Sequence, residues 1–237
     1  QAVVVRRHTP QPGPYRTYRA CLRWEFGHGC AFCLTHEADL VEHGVEGTGL
    51  TSIEHQVPQS DTQGGPQVDQ YTNCFYACRY CNQARGHAPL VGASGARLLD
   101  PCRHAWASHF TRIDARLLPT ANDPDASRTH RIYDLDDQRK QSMRRNREAL
   151  LAEALRTLDT APALIEQLLL AAEAPGEKRV ALIAAAQSLR GLMTRARDDL
   201  MRFVAVPPDA DPVCRCATPE GRSLPAFLKE QLLEIPP

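Results

Sequence analysis

Apolar and polar positions change rhythm once along this chain. Up to about residue 135 the apolar residues come in short runs broken by Gly, Pro and Asn. Beyond it they recur at helical spacing. In the first part, Tyr18, Leu22 and Phe26 share one face of a short predicted helix, followed by the turn Gly27-His28-Gly29. Residues 34–52 are acidic and broken by glycines, which predicts a surface loop. A strand is expected over 51–57, ended by Pro58, and a loop over 60–70 around Gly64-Gly65-Pro66. Asn73 suits a helix N-cap, with the helix running from Phe75 to about Ala84 and ended by Gly86. In the second part, Leu135, Met143, Leu150, Leu151, Leu155 and Leu158 predict a helix over 134–157. Asp159 to Pro162 reads as a break and restart, with a new helix over 164–174. A long helix over 177–204 carries Val180, Ile183, Leu189, Leu192, Met193 and Leu200, and prolines 207, 208 and 212 end it. A short terminal helix is expected over 223–233.

Composition bounds what these elements can do. With 237 residues, 43% of them apolar, the chain can bury a sizeable core as one large or two small domains. The formal net charge is zero, so nucleic-acid contact has to come from local patches. Nine cysteines, an odd number, argue against a fully paired disulfide framework. No apolar signal-peptide core opens the sequence and no stretch approaches a membrane span, so a cytoplasmic, reducing location is expected.

Four cysteines, Cys30, Cys33, Cys78 and Cys81, form two Cys-x-x-Cys pairs, the spacing of a tetrahedral thiolate zinc site. A redox dithiol is the rival for either pair alone. Cys21, Cys74 and Cys102 read as structural, and Cys214 and Cys216 stand close together without a second pair to complete a site. Between the pairs lies Glu54-His55. A neutral imidazole at His55 can take a proton near pH 7, which makes it a candidate general base. On an extended strand, Glu54 and His55 point to opposite faces, so only a local bend could bring both to one centre. His8, His28, His36 and His43 are expected in solvent, and His104 and His109 in structural roles. Arg79 and Arg85 on the predicted helix, and His87 after it, are candidate nucleic-acid contacts, Arg85 through a phosphate oxygen. Arg139, Lys140, Arg144, Arg145 and Arg147 form a basic cluster, read as a solvated helix face or a nucleic-acid contact. Tyr76 and Tyr80 are expected to pack rather than stack on bases.

Taken in order, Cys30-x-x-Cys33, Glu54-His55, Asn73, Cys78-x-x-Cys81 and Asn82 resemble the HNH (ββα-metal) endonuclease family in its zinc-stapled version. The likeness is specific over about residues 30–87. The flanking Tyr18, Leu22, Phe26 and the Leu98-Leu99-Asp100-Pro101…Trp106…His109-Phe110 pattern are similar to nuclease subunits of Septu-like bacterial anti-phage systems. The resemblance implies catalytic roles for His55, Asn73 and Asn82, with Asn73 bracing the metal-binding loop. It also implies Glu54 and Asn82 as ligands of a catalytic Mg²⁺ or Mn²⁺, and Zn²⁺ at the four cysteines. Glu stands where the family often has Asp, and Asn82 where it often has His. The expected fold is α+β: a ββα-metal module with structural zinc, then a mainly α-helical domain. The expected boundaries are a basic extension over 1–29, the module over 30–112 and a connection over 113–137. A helical domain over 138–205 and a Pro-rich tail over 206–237 follow. The expected function is metal-dependent cleavage of DNA, with RNA left open. A defence-system ATPase or a second copy is the expected partner. The alternative is a non-catalytic zinc module that binds nucleic acid or protein.

Overall fold

The computed structural model describes residues 4, 6, 8–42, 45–59, 67–173, 176, 178–204 and 216. The tail helix expected over 223–233, the loop centred on Gly64-Gly65, His43 and Cys214 lie outside them. The protein is mixed α/β, with six helices and three two-stranded antiparallel sheets among the described residues. It divides into two compact units, Gln1–Arg145 with Pro208–Pro237, and Asn146–Pro207.

In the first unit, a 3₁₀ turn at Tyr15–Tyr18 leads into helix α1 (Arg19–Glu25). Tyr18 and Leu22 pack with Cys74 and Tyr76, so the N-terminal segment belongs to the core rather than to a solvated extension. Residues 34–52 are not a plain surface loop. They hold a 3₁₀ turn at Glu37–Asp39, the hairpin β1 (Val41–Glu42) with β2 (Val45–Glu46), and a 3₁₀ turn at Gly47–Leu50. Leu40 and Leu50 are buried, and anchoring those two side chains overrides the polar composition around them.

Strand β3 (Thr51–His55) pairs antiparallel with β4 (Cys74–Cys78), with Glu54 opposite Phe75 and His55 opposite Cys74. Helix α2 (Arg79–Arg85) follows directly. Its N-cap is Cys78, not Asn73: the apolar run Cys74-Phe75-Tyr76-Ala77 is buried along its whole length and gains more as a strand against β3. Gly86 closes the helix at φ 50°, a conformation glycine adopts without strain.

The segment expected as a connection is structured. After α3 (Trp106–His109) come the hairpin β5 (Phe110–Ile113) with β6 (Arg116–Pro119), then α4 (Pro124–Ile132). Asp123 caps α4 by accepting from the Ala126 N–H at 2.8 Å, with Pro124 at the first helical position. Ala126, Tyr133, Leu135 and Met143 join the same core as the four cysteines, Phe32, Phe75 and Trp106. The ring of Tyr133 stacks on Phe32 at 3.9 Å, and Trp106 Nε1 donates to the Phe32 carbonyl. This core reaches past both expected boundaries, 112 and 138, to Arg145.

Helix α5 (Gln138–Glu173) runs without interruption through Pro162, where a break was expected. Pro162 offers no N–H to the preceding turn and costs about 3 kcal/mol in a helix interior. The Ala-, Leu- and Glu-rich sequence on both sides favours helix strongly enough to carry the chain through. Helix α6 (Arg179–Val204) matches its expected span closely. The second unit buries mostly small side chains, among them Ala154, Ala161, Ala172, Ala186 and Ala196, and leaves Leu155, Leu170 and Val180 exposed. Among the described residues, no helix is long and apolar enough to cross a membrane.

Candidate functional site

The two Cys-x-x-Cys pairs meet. The ligand atoms of Cys30, Cys33, Cys78 and Cys81 lie within 4.8 Å of one another, all four residues are buried, and they could hold a metal ion. Local chain geometry aims them. The first pair lies in a tight turn where Leu34 N–H donates to the Cys30 carbonyl and Leu34 takes φ 63°. The second spans the start of α2, where the Cys78 thiol accepts from the Cys81 N–H at 3.4 Å. Crowding sets the thiol acidities apart. Burial opposes ionisation of Cys33, but hydrogen bonds from Cys30, Cys78, Cys81 and Thr35 outweigh it and hold its pKa well below the ordinary value. Hydrogen bonds to Cys30 and Cys33 push Cys78 well up, and burial does so for Cys81. Four thiols so placed cannot all ionise without a cation among them.

Lys140 and Arg144, from the first turns of α5, close this group from one side. They are neither a solvated face nor placed for nucleic acid, being only 2% and 5% exposed. Lys140 Nζ donates to the carbonyls of Tyr133 and Asp134. The Arg144 guanidinium donates to those of Ala115, Cys33 and Leu135. Burial opposes the Lys140 charge, yet the negative potential of Cys81, Cys33 and Cys78 raises its pKa. Arg139 of the same cluster lies over the Tyr80 ring, 4.8 Å from its centroid.

On the other side of α2 a pocket of about 600 Å³ opens, lined by Tyr15, Arg16, Arg19, residues 51–55, Pro58, Gln59, Asn82, Gly86 and His87. All of β3, residues 51–55, lines it, so Glu54 and His55 share one pocket. The His55 ring is held from both ends. A carbonyl oxygen only accepts, so the 3.1 Å contact of Nε2 with the Val68 carbonyl makes Nε2 the protonated nitrogen. Nδ1 then carries the lone pair, with Gln59 Nε2 at 3.4 Å. Tyr15 meets the ring edge-on at 4.8 Å. Burial lowers the His55 pKa, so the ring is neutral at pH 7.

Asn73 is buried and spends its side chain on the loop between the strands. Its Oδ1 accepts from Val57 N–H at 2.8 Å, and its Nδ2 donates to the carbonyls of Val57 and Gln67. Gln67 precedes Val68, so Asn73 fixes the strand of chain that holds His55.

Arg85 is not a phosphate contact. Its side chain is completely buried and donates to Glu54 Oε1 at 2.7 Å, to the His55 carbonyl and to the Gln56 carbonyl. The helix explains this: Arg85 lies four residues after Cys81 and shares its buried face. Glu54 Oε1 also accepts from its neighbour's N–H, while Oε2 is buried without a hydrogen-bond partner. Burial raises the Glu54 pKa, partly offset by the Arg85 charge. Asn82 and His87 line the pocket, His87 in an exposed position; Arg79 is exposed at the start of α2 and lies outside it.

A buried charge network that the sequence did not reveal supports the strand pair from behind. Arg23 and the Tyr76 hydroxyl both donate to Glu37, and His28 Nδ1 lies 3.1 Å from it. Burial opposes the Glu37 charge, but these partners outweigh it and hold the carboxyl far below its usual range. His28 and His8 are therefore buried rather than solvated, and His36 caps the 3₁₀ turn at Glu37. Tyr76 packs as expected, and Cys74 is buried with its thiol pushed up to about 12 by burial. His109 pairs with Asp123 at 2.6 Å. Comparison with protein-family models, curated proteins and solved structures finds no match to this chain.

Proposed function

We propose that the protein is a metal-dependent endonuclease of the HNH type that hydrolyses phosphodiester bonds of DNA and is stapled by Zn²⁺ at its four clustered cysteines. One observation carries the reading: a neutral His55, its Nε2–H committed to the Val68 carbonyl, presents Nδ1 in a pocket shared with Glu54, Asn82 and Arg16. The order of parts supports it, an antiparallel strand pair followed at once by a helix, with an asparagine clamping the connecting loop. Zinc suits the cysteines, since Zn–S bonds of about 2.3 Å give tetrahedral S···S edges of about 3.8 Å. The Cys33 to Cys78 separation is 3.6 Å.

The pocket also fits a second cation. Glu54 Oε2 is a buried acceptor with no donor, and Asn82, which carries an amide oxygen, lines the same pocket. These two residues would hold Mg²⁺ or Mn²⁺, which supplies charge neutralisation at the scissile phosphate. The Arg85 charge partly offsets the burial that raises the Glu54 pKa, and its ion pair holds the carboxyl at the end of β3. Nδ1 of His55 accepts a proton from the attacking water, and the Val68 carbonyl steadies the resulting imidazolium through Nε2–H. Arg16 and His87, exposed at the mouth, meet the phosphate backbone. The exposed Leu155, Leu170 and Val180 of the second unit support a protein partner, as a regulated defence nuclease needs.

The test is plasmid nicking with Mg²⁺ and with chelator. His55→Ala should lower the rate by about 10²–10⁴-fold. His55→Gln, which keeps a donor for the Val68 carbonyl, should match that loss while retaining the metal content and melting temperature of the native protein. Native cleavage rates from either variant, or cleavage untouched by chelator, would end this reading.

A further inference from the structure

A second group of metal-ligating side chains lies in the first unit, and the proposed reaction uses none of it. His8, Cys21 and Cys216 each bring one ligand atom to within 4.8 Å of the others. Cys21 Sγ is 3.5 Å from Cys216 Sγ, and Cys216 Sγ is 3.3 Å from His8 Nδ1. Cys21 is fully buried and His8 nearly so. The two cysteines stand 195 residues apart, so their meeting owes nothing to local chain geometry. Backbone contacts bring the three parts together. Pro10 and Cys216 form an antiparallel bridge, and the His8 N–H donates to Glu25 Oε1 at 2.8 Å. Glu25, which ends α1, is itself paired with Arg6, and Cys21 projects from the middle of that helix.

We infer that His8, Cys21 and Cys216 form a second structural metal site, suited to Zn²⁺ or a similarly borderline-soft divalent ion. Zn–S bonds of about 2.3 Å and Zn–N bonds of about 2.0–2.1 Å give tetrahedral S···S and S···N edges of about 3.8 and 3.5 Å. Both observed separations fall within a few tenths of an ångström of these edges. A disulfide requires about 2.05 Å between sulfurs. The molecule supplies its own standard, because Cys33 and Cys78 in the four-cysteine group stand 3.6 Å apart. Two thiolates and one imidazole also balance a dication, so the buried site carries no net charge and escapes most of the desolvation penalty. The fourth position of the tetrahedron falls to a water.

The site has a structural consequence for the pocket. Tyr15, Arg16 and Arg19, which form one of its walls, lie between His8 and Cys21 in the chain. A metal at this point clips both ends of that stretch together and ties them to residue 216. A cross-link over so long a loop removes more unfolded-chain entropy than one between near neighbours.

The experiment is metal analysis of the full-length chain, purified from zinc-replete medium under reducing conditions. The quantity read is the difference between native protein and variant, so it stands whatever the four-cysteine group holds or the pocket catalyses. Cys216→Ser and His8→Ala should each lose about one zinc per chain relative to native protein. Where either variant aggregates, His8→Cys provides the second measurement. It should keep the native zinc count, and after cobalt exchange it should show stronger thiolate-to-cobalt charge-transfer absorption than native protein. An unchanged zinc count in soluble Cys216→Ser would overturn the site. So would a Cys21–Cys216 disulfide found by peptide mapping in place of bound metal, or a His8→Cys protein with no gain in charge-transfer absorption.

Discussion

Helix α2 has two working sides, and they are finished to different degrees. Toward the core, Cys78, Cys81 and Arg85 face a fully enclosed region where thiols are clustered, and Lys140 and Arg144 spend their donors on carbonyls. Toward solvent, Asn82, Gly86 and His87 face a pocket in which Glu54 keeps a buried oxygen without a donor and His55 Nδ1 has a long 3.4 Å contact with Gln59 Nε2. The first side is enclosed in the core, where Arg85 Nε and the Tyr133 hydroxyl are buried without hydrogen-bond partners. The second keeps binding capacity that the protein itself does not use, and that residual capacity is what a substrate or an ion can exploit. Arg85 joins the two: it is part of the buried face, yet its bonds set the position and charge of Glu54.

This contrast is broken most severely by attacking the enclosed side. A structural thiolate site contributes apparent binding energy of about 10–16 kcal/mol. Cys78→Ser should therefore release the metal and unfold the first unit, seen as loss of zinc and of the cooperative melt. Soluble, folded protein without metal would show that the cysteines are not what holds this face.

Next in size is the bridge between the sides. Arg85→Leu leaves the Glu54 carboxylate buried and unpaired, a change that costs about 3–5 kcal/mol. The melting temperature should fall sharply, and Arg85→Leu combined with Glu54→Gln should recover much of the loss. No recovery in the double variant would mean that the backbone bonds of Arg85 matter more than its ion pair.

The smallest effect sharpens the open side. The proposed catalysis requires neutral His55, and burial lowers its pKa below the ordinary value near 6.5. The cleavage rate should thus stay high through pH 6.5 and fall only as pH drops through the lowered value. The same sign applies to stability, since the folded state favours the neutral ring. That contribution is present above the unfolded pKa and is lost as pH falls through the folded one. A rate profile that turns down well above pH 6.5 would contradict the assignment of His55 as base.

How much of this was legible depends on how local each signal is. The helix around Leu22, helix α6 and the two cysteine pairs are written in short-range pattern, and the structure holds them, whereas the strand expected over 51–57 stops two residues early at His55. The local pattern makes Asn73 a helix N-cap, which Cys78 is instead, and the loop-bracing role that the family resemblance implies matches its hydrogen bonds. Its partners, Val57 and Gln67, lie across a loop whose closure no local pattern records. Arg85 could have been placed inward, because four residues separate it from Cys81. Glu37 with Arg23 and Tyr76, and Arg144 with Cys33, could not, since charged residues are read as solvated until their distant partners are known. His8, Cys21 and Cys216 belong to the same class.

The Arg144 clamp bears on how the protein is made. Cys33 lies 111 residues before the side chain that holds its carbonyl. At synthesis rates of about 5–20 residues per second, roughly 6–22 s of translation pass between them. During that interval both cysteine pairs and the whole lining of the pocket have already been translated, while Lys140 and Arg144 have not. The nascent chain therefore holds its clustered cysteines and its pocket-lining side chains before it holds the contacts that lock them. The core around the cysteines is therefore locked only after residue 144 has been made.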